Sequence, residues 1–197
     1  MLTAALFAVT VLVPTATAQA PTAPLQVSGG TTEFRLSDAA AKTLADHQIS
    51  FQPVAPATAL PGTPGGVAVK VKSGKVTPVP FSAALTYGEG GCRFSDDKNR
   101  TITFTDGQVD LGAGTASVVV NGNAKDRIDV ATFAIDPAKV KVSPPKITIS
   151  GTDIKISAAA AVALNLTFGA DLFHAGDPLF DHSSSLDTVP VSSPAGT

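Results

Sequence analysis

Few side chains in this chain are equipped for chemistry, and most of those sit together near its end. Asp171, His174, Asp177, Asp181 and His182 lie within one short stretch. Neutral imidazoles and carboxylates are suitable ligands for zinc or similar ions, and a histidine beside a carboxylate is the usual general acid–base pair. The intervals match no standard metal motif, however, and Gly176-Asp177-Pro178 reads as a turn. A hydrolase using this cluster is one reading; no Gly-x-Ser-x-Gly nucleophile turn accompanies it. The remaining histidine, His47, stands between Asp46 and Gln48 and reads as a surface or helix C-cap residue. Only two glutamates, Glu33 and Glu89, are present, and the aspartates fall mainly in turn contexts, so nothing selects the facing carboxylate pair of a glycosidase. The acidic run Asp96-Asp97-Lys98-Asn99 lacks the alternation and terminal glutamate of an EF-hand loop and reads as a hairpin turn. Cys92 is the sole cysteine, which excludes an intramolecular disulfide; between Gly91 and Arg93 it reads as a buried small apolar residue. Tyr87 is the sole tyrosine. No catalytic residue and no metal site is assigned.

The elements that position these groups announce themselves by repetition. Thr32–Leu44 recurs as Thr152–Leu164, with Thr, Ser, three Ala and Leu in place and with Glu/Asp, Phe/Ile, Arg/Lys and Leu/Ile exchanged for their like. A repeated segment marks one structural unit used twice. Each copy alternates apolar and polar residues as a half-buried strand does, then presents a serine and a run of alanines. Ser37 and Ser157 suit helix N-caps, the hydroxyl accepting a free backbone N–H of the first turn. Gly151 interrupts the second strand. Between the copies the signals are β: Val67–Val71, Ala83–Tyr87, Thr101–Phe104, Ser117–Val120 and Ile128–Ala134 are short runs rich in β-branched residues. Turn formers separate them at Ser73-Gly74, Gly88–Gly91, Asp96–Asn99, Asp106-Gly107, Gly112–Gly114 and Asn121–Asn123. The expected fold is mainly β, an antiparallel β-sandwich or barrel-like domain with two short Ala-rich helices in a duplicated strand–helix unit. The ten phenylalanines supply its core, and the Pro-rich segment 51–80 begins as an extended crossover.

Leu2–Val13 is an apolar run of signal-peptide length, short of the ~20 residues that span a bilayer. Ala16-Thr17-Ala18 places cleavage after Ala18. No Lys or Arg precedes Arg35, so the basic opening segment of such a leader would lie upstream of Met1. The expected organisation is a signal peptide at 1–18, a flexible linker at 19–30, one β-rich domain at 31–182 and a disordered Ser/Pro-rich tail at 183–197. The product would be secreted or associated with the cell envelope, with no stable membrane insertion after cleavage. Fourteen basic groups against 16 acidic ones offer no electrostatic footprint for nucleic acid. A chain with no Trp and one Tyr is also poor in the aromatics that build protein-binding hot spots. Asn165-Leu-Thr167 and Asn99-Arg-Thr101 fit the N-glycosylation pattern, to which no function is attached.

The order of these pieces resembles a set of secreted actinobacterial proteins and, more distantly, the Hta-type domain of heme-acquisition proteins. The points of contact are Tyr87-Gly-Glu-Gly-Gly-Cys-Arg-Phe94, Thr101–Val109, Ile147–Ser157, Ala158–Leu164 with Phe168-Gly169, and Leu172–Leu179. The resemblance covers roughly 31–179. It implies a β-rich extracellular domain, heme as a ligand and a tyrosine on its iron, for which only Tyr87 is available; the heme-binder reading built on it adds His174 near the ligand. Where the Hta-type domain carries a histidine in the Gly-rich turn, this chain has Gly88-Glu89. The reading from sequence is therefore a secreted, non-catalytic module with a binding or structural role and an unidentified cell-surface or extracellular ligand. A heme or small-ligand binder using Tyr87 is the alternative, and the hydrolase the second.

Overall fold

The computed structural model describes residues 23–191; the expected signal peptide and its cleavage site lie outside them. Along the chain run β1 (Leu25–Leu36), α1 (Asp38–Asp46), β2 (Ser50–Val54), β3 (Thr58–Leu60), β4 (Gly66–Thr77), β5 (Ser82–Tyr87), β6 (Gly91–Ser95) and β7 (Thr101–Asp110). They are followed by β8 (Thr115–Val120), β9 (Asn123–Thr132), a 3₁₀ turn at Pro137–Lys139, β10 (Val140–Ser143), β11 (Lys146–Ile156), α2 (Ala158–Phe168) and β12 (Pro178–Pro190). All pair antiparallel. The order β5-β4-β1-β12-β11-β9-β8-β7 closes on itself because β7 pairs with both β8 and β5, so eight strands form a ring. β6 continues along the same edge of β7 beyond β5 and carries β2 at its outer side. The fold is thus the barrel-like form of the expected antiparallel architecture.

The two repeats occupy matching places. β1 and β11 lie on either side of β12, each antiparallel to it, with Thr32 opposite Ser184 and Thr152 opposite His182. Both strands end in the expected serine cap. Ser37 Oγ accepts from Ala40 N at 3.1 Å and donates to the Pro178 carbonyl at 2.7 Å; Ser157 Oγ accepts from Ala160 N at 3.1 Å and donates to the Asp129 carbonyl at 2.6 Å. Each hydroxyl therefore caps its helix and ties it to the neighbouring strand. Ser157→Ala removes both bonds and is expected to cost about 1–2 kcal/mol, read as a lower denaturant midpoint at unchanged slope. Ala40 and Leu44 of α1, and Ala160, Ala161, Leu164 and Phe168 of α2, are the buried faces. The outer faces differ: α1 shows Asp38, Lys42 and Asp46, whereas α2 shows Val162 and Leu166. No helix among the described residues is long and apolar enough to cross a membrane.

Several boundaries fall elsewhere than expected. The linker expected at 19–30 is strand from Leu25, because Leu25 and Val27 are buried in the core. The tail expected to be disordered from 183 is strand to Pro190. Its inward positions, His182, Ser184, Leu186 and Thr188, are buried but mostly polar, which hides the alternation. Ser73-Gly74 and Asp106-Gly107 do not reverse the chain. β4 and β7 run through them, with register shifts between Val71 and Ser73 and between Thr105 and Gln108. Gly151, as expected, marks an irregularity in β11, at φ 60. Asn121 and Gly122, both at positive φ, form the tight β8–β9 reversal.

A candidate ligand cavity inside the barrel

Alternation along β5 turns Ala83, Leu85 and Tyr87 inward. Tyr87, at the inner end of the strand, stands 5% exposed with its ring edge-on to Phe34, centroids 5.9 Å apart. Phe34 in turn stacks near the His182 ring at 5.5 Å and Phe180 at 5.9 Å. The three strands β5, β1 and β12 thereby bring a phenol and an imidazole to one place. Beside them is an apolar cavity of about 90 Å³, lined among others by Phe34, Tyr87, Cys92, Phe104, Phe180 and His182. Gly107 makes this arrangement possible: a Cβ there would stand 2.8 Å from Tyr87 Cδ2, so the strand passes against the ring only as glycine.

Polar groups surround the two rings in an incomplete network. Thr32 Oγ1 and Ser184 Oγ are 2.8 Å apart, and Ser184 Oγ lies 2.9 Å from His182 Nε2. The chain stops there. Tyr87 Oη, His182 Nδ1 and Thr152 Oγ1 are buried without a hydrogen-bond partner, as is Thr188 Oγ1 further along β12. Thr32 lies close enough to the phenol to lower its pKa, but its hydroxyl is engaged with Ser184 and does not meet hydrogen-bond geometry with Tyr87 Oη. Buried polar atoms are nearly always paired, and leaving one unpaired costs about 1–3 kcal/mol, so two at one cavity, on Tyr87 and His182, mark a place where something else supplies the partners.

Burial fixes the protonation of the site. Loss of water pushes the Tyr87 phenol up to about 12, an effect only partly offset by nearby Thr32, and the Cys92 thiol up to about 12 as well. It lowers the His182 imidazole to about 4. At neutral pH the cavity therefore presents a protonated phenol, a neutral imidazole and an unreactive thiol. It can recognise by hydrogen bonds and apolar contact, and holds no fixed charge.

The structure does not bring His174 to Tyr87. It lies in the open loop between α2 and β12 with its side chain 73% exposed, Nε2 3.5 Å from Asp171 Oδ2 and Nδ1 3.9 Å from Asp177 Oδ2. Its backbone N–H donates to Asp177 Oδ2 at 2.8 Å, the turn expected around Gly176. The cluster is thus divided, His182 inside and the others on the surface. Among the described residues no three His, Cys, Asp or Glu side chains converge as a metal site. Asn165 serves this loop, its side chain receiving the N–H groups of Leu172 and Phe173 and donating to the Phe173 carbonyl. His47 is the α1 C-cap, as expected. Sequence reading placed His182 in the Asp171–His182 cluster rather than beside Tyr87, and did not single out Thr32, Thr152 or Ser184. The available signals were the repeat itself, which places Thr32 and Thr152 around β12, and the period-two run Phe180, His182, Ser184, Leu186.

No protein-family model matches the chain, and no curated protein sequence matches it. Among solved structures, the C-terminal domain of HtaA from Corynebacterium glutamicum superposes with a TM-score of 0.63 at 14% identity, over 84% of this chain and 99% of that domain. The chain therefore resembles the Hta-type domain, distantly in sequence and across nearly the whole of that domain in fold.

Proposed function

We propose that this chain is an exported, non-catalytic binding module that takes a small ligand into its barrel, with Tyr87 and His182 as the polar contacts. The observation that carries this reading is the pair of buried, unpartnered atoms, Tyr87 Oη and His182 Nδ1, at one apolar cavity. Export rests on the apolar leader of the sequence, and a role at the cell envelope or outside the cell on the same leader and the Hta-like fold.

Heme, the ligand implied by the family resemblance, fits the donors better than the room. Tyrosine and histidine are both haem-iron ligands, and when bound the iron would supply the positive charge that a buried phenolate lacks here. A cavity of about 90 Å³ is nevertheless well below the ~300–1,000 Å³ of drug-sized ligand pockets. The closed barrel does not hold a macrocycle, so heme is the second reading and requires the wall to open.

Tyr87→Phe separates a ligand contact from a packing residue. Its hydroxyl has no partner, so its removal is expected to leave stability unchanged or raise it by about 1 kcal/mol. Hemin titration followed at the Soret band, and thermal unfolding with and without hemin, are run on both proteins. A saturable shift in the parent that the variant loses, at equal or higher stability, supports Tyr87 as a ligand contact. A variant that binds as the parent does, or one that is strongly destabilised, removes Tyr87 from the site and returns it to the core.

A further inference from the structure

The barrel wall is not laddered all the way round. β9 and β11 share only the pairs Lys155↔Thr132 and Ile156↔Ala131, whereas β11 follows β12 from Lys146 to Lys155 on its other side. After Thr132 the chain leaves β11 and returns only where Val140 of β10 pairs with Ile149. Between these points the wall has a gap, a cleft of about 410 Å³ rimmed by Asp136, Lys139, Gly151, Thr152, Asp153 and Lys155. Phe133, half-buried, lines both this cleft and the interior cavity. Thr152 is 3% exposed, with its Oγ1 unpartnered.

Elsewhere the cavity wall is tight. At the Tyr87 end, a Cβ on Gly91 would stand 1.9 Å from the Phe104 carbonyl oxygen and one on Gly90 2.8 Å from Ala57 N, so backbone closes on backbone there. The groove over β5, β7 and β8 also shares Val109 and Ser117 with the cavity lining, but it lies over strands joined by ladder pairs, Ala84↔Asp110, Leu85↔Val109 and Val109↔Ala116 among them. Cleft and cavity together reach the size of an ordinary ligand pocket, one end apolar and the other polar.

We infer that the β9–β11 gap is the entrance to the interior site, that Phe133 is its plug and the contact of Lys139 Nζ with the Gly151 carbonyl its latch, and that the ligand is amphipathic. Its apolar part passes Phe133 into the barrel, and its polar part stays among the charged side chains of the rim and Thr152. This rests on the cavity being the binding site. The latch lies at the β10 end of the gap, beside the Val140↔Ile149 pair, and its exposed side chain can release without disturbing a ladder.

Cys92 lines the cavity and is the sole thiol, which makes it the reporter. Labelling of the full chain by N-ethylmaleimide under native conditions, followed by mass spectrometry, measures access. Phe133→Ala is expected to label about tenfold faster than the parent or more, as local opening becomes easier than global unfolding. Lys139→Met, which leaves the core intact, should also label faster. Leu44→Ala, buried under α1 and absent from the cavity lining, should label faster only in proportion to its lost stability. Sodium decanoate, an apolar tail with a charged head, should slow labelling of the parent. If Phe133→Ala and Lys139→Met gain no more than their measured stability loss explains, the entrance is overturned. If they do gain but decanoate gives no protection, the amphipathic assignment falls. Neither result depends on hemin binding, so failure of the entrance and failure of the ligand reading are distinguishable.

Discussion

Lowering the pH from 7 to 4 is expected to remove about 3 kcal/mol of stability through His182 alone. Burial among Phe34, Ser184 and the neighbouring strands depresses its imidazole from the ordinary 6.5 to about 4. Above pH 6.5 the ring is neutral in both the folded and unfolded chain, and its contribution is fully present. As the pH falls below that value the unfolded chain takes up a proton that the native barrel refuses. The loss grows until about pH 4, where the native ring is protonated too. A difference of about 2.5 pH units at 1.36 kcal/mol each sets the size of the effect. Carboxylates add their own acid sensitivity, so the comparison is with His182→Gln, which retains hydrogen-bonding capacity and lacks the titration. Urea unfolding at pH 7, 5.5 and 4 should show the parent losing about 3 kcal/mol more than the variant. Equal losses would mean that the ring is hydrated in the native state, and the site would then be a wet surface pocket rather than an interior cavity.

That result bears on function as well as stability, because a neutral His182 is what leaves a free ring nitrogen for a ligand. The depressed pKa and the orphaned Nδ1 have one cause, an inward, buried position on β12. From sequence, His182 belongs to the polar cluster that begins at Asp171, with Asp181 before it and Ser183 after it. Only the pairing of β12 between the two repeats turns it inward. The strand–serine–helix unit is legible because its signals are local: alternation, a capping side chain, a run of alanines. The route of β12 is not, because Ser184 and Thr188 occupy core positions and mimic a polar tail. Tyr87 stands out by being the sole tyrosine at the head of a Gly-rich turn, yet its partner in the site depends on strand order, which no local pattern encodes. The open seam between β9 and β11 is further removed still, since it is a property of where two ladders stop.

The Gly-rich turn after Tyr87 offers the sharpest steric contrast in the molecule. Gly91→Ala is expected to cost at least about 3 kcal/mol, whereas Gly88→Ala, three residues earlier in the same motif, should change stability by less than about 0.5 kcal/mol. A Cβ on Gly91 meets the Phe104 carbonyl oxygen at 1.9 Å and its carbon at 2.9 Å, both backbone atoms that cannot rotate away. Relief would require β6 to withdraw from β7, where Gly91 pairs with Thr105, and from β2, where it pairs with Val54. That movement would carry Cys92 and the cavity wall with it. Gly88 faces only the Lys70 carbonyl at 3.7 Å, an ordinary contact. Denaturant unfolding of both variants tests the contrast, and hemin titration of Gly91→Ala shows whether the site goes with the wall. Equal losses at the two positions would mean that the motif exists for turn flexibility. A loss confined to Gly91 makes it the point where β2, β6 and β7 close on one another at the cavity wall, and explains a glycine run as close packing rather than looseness.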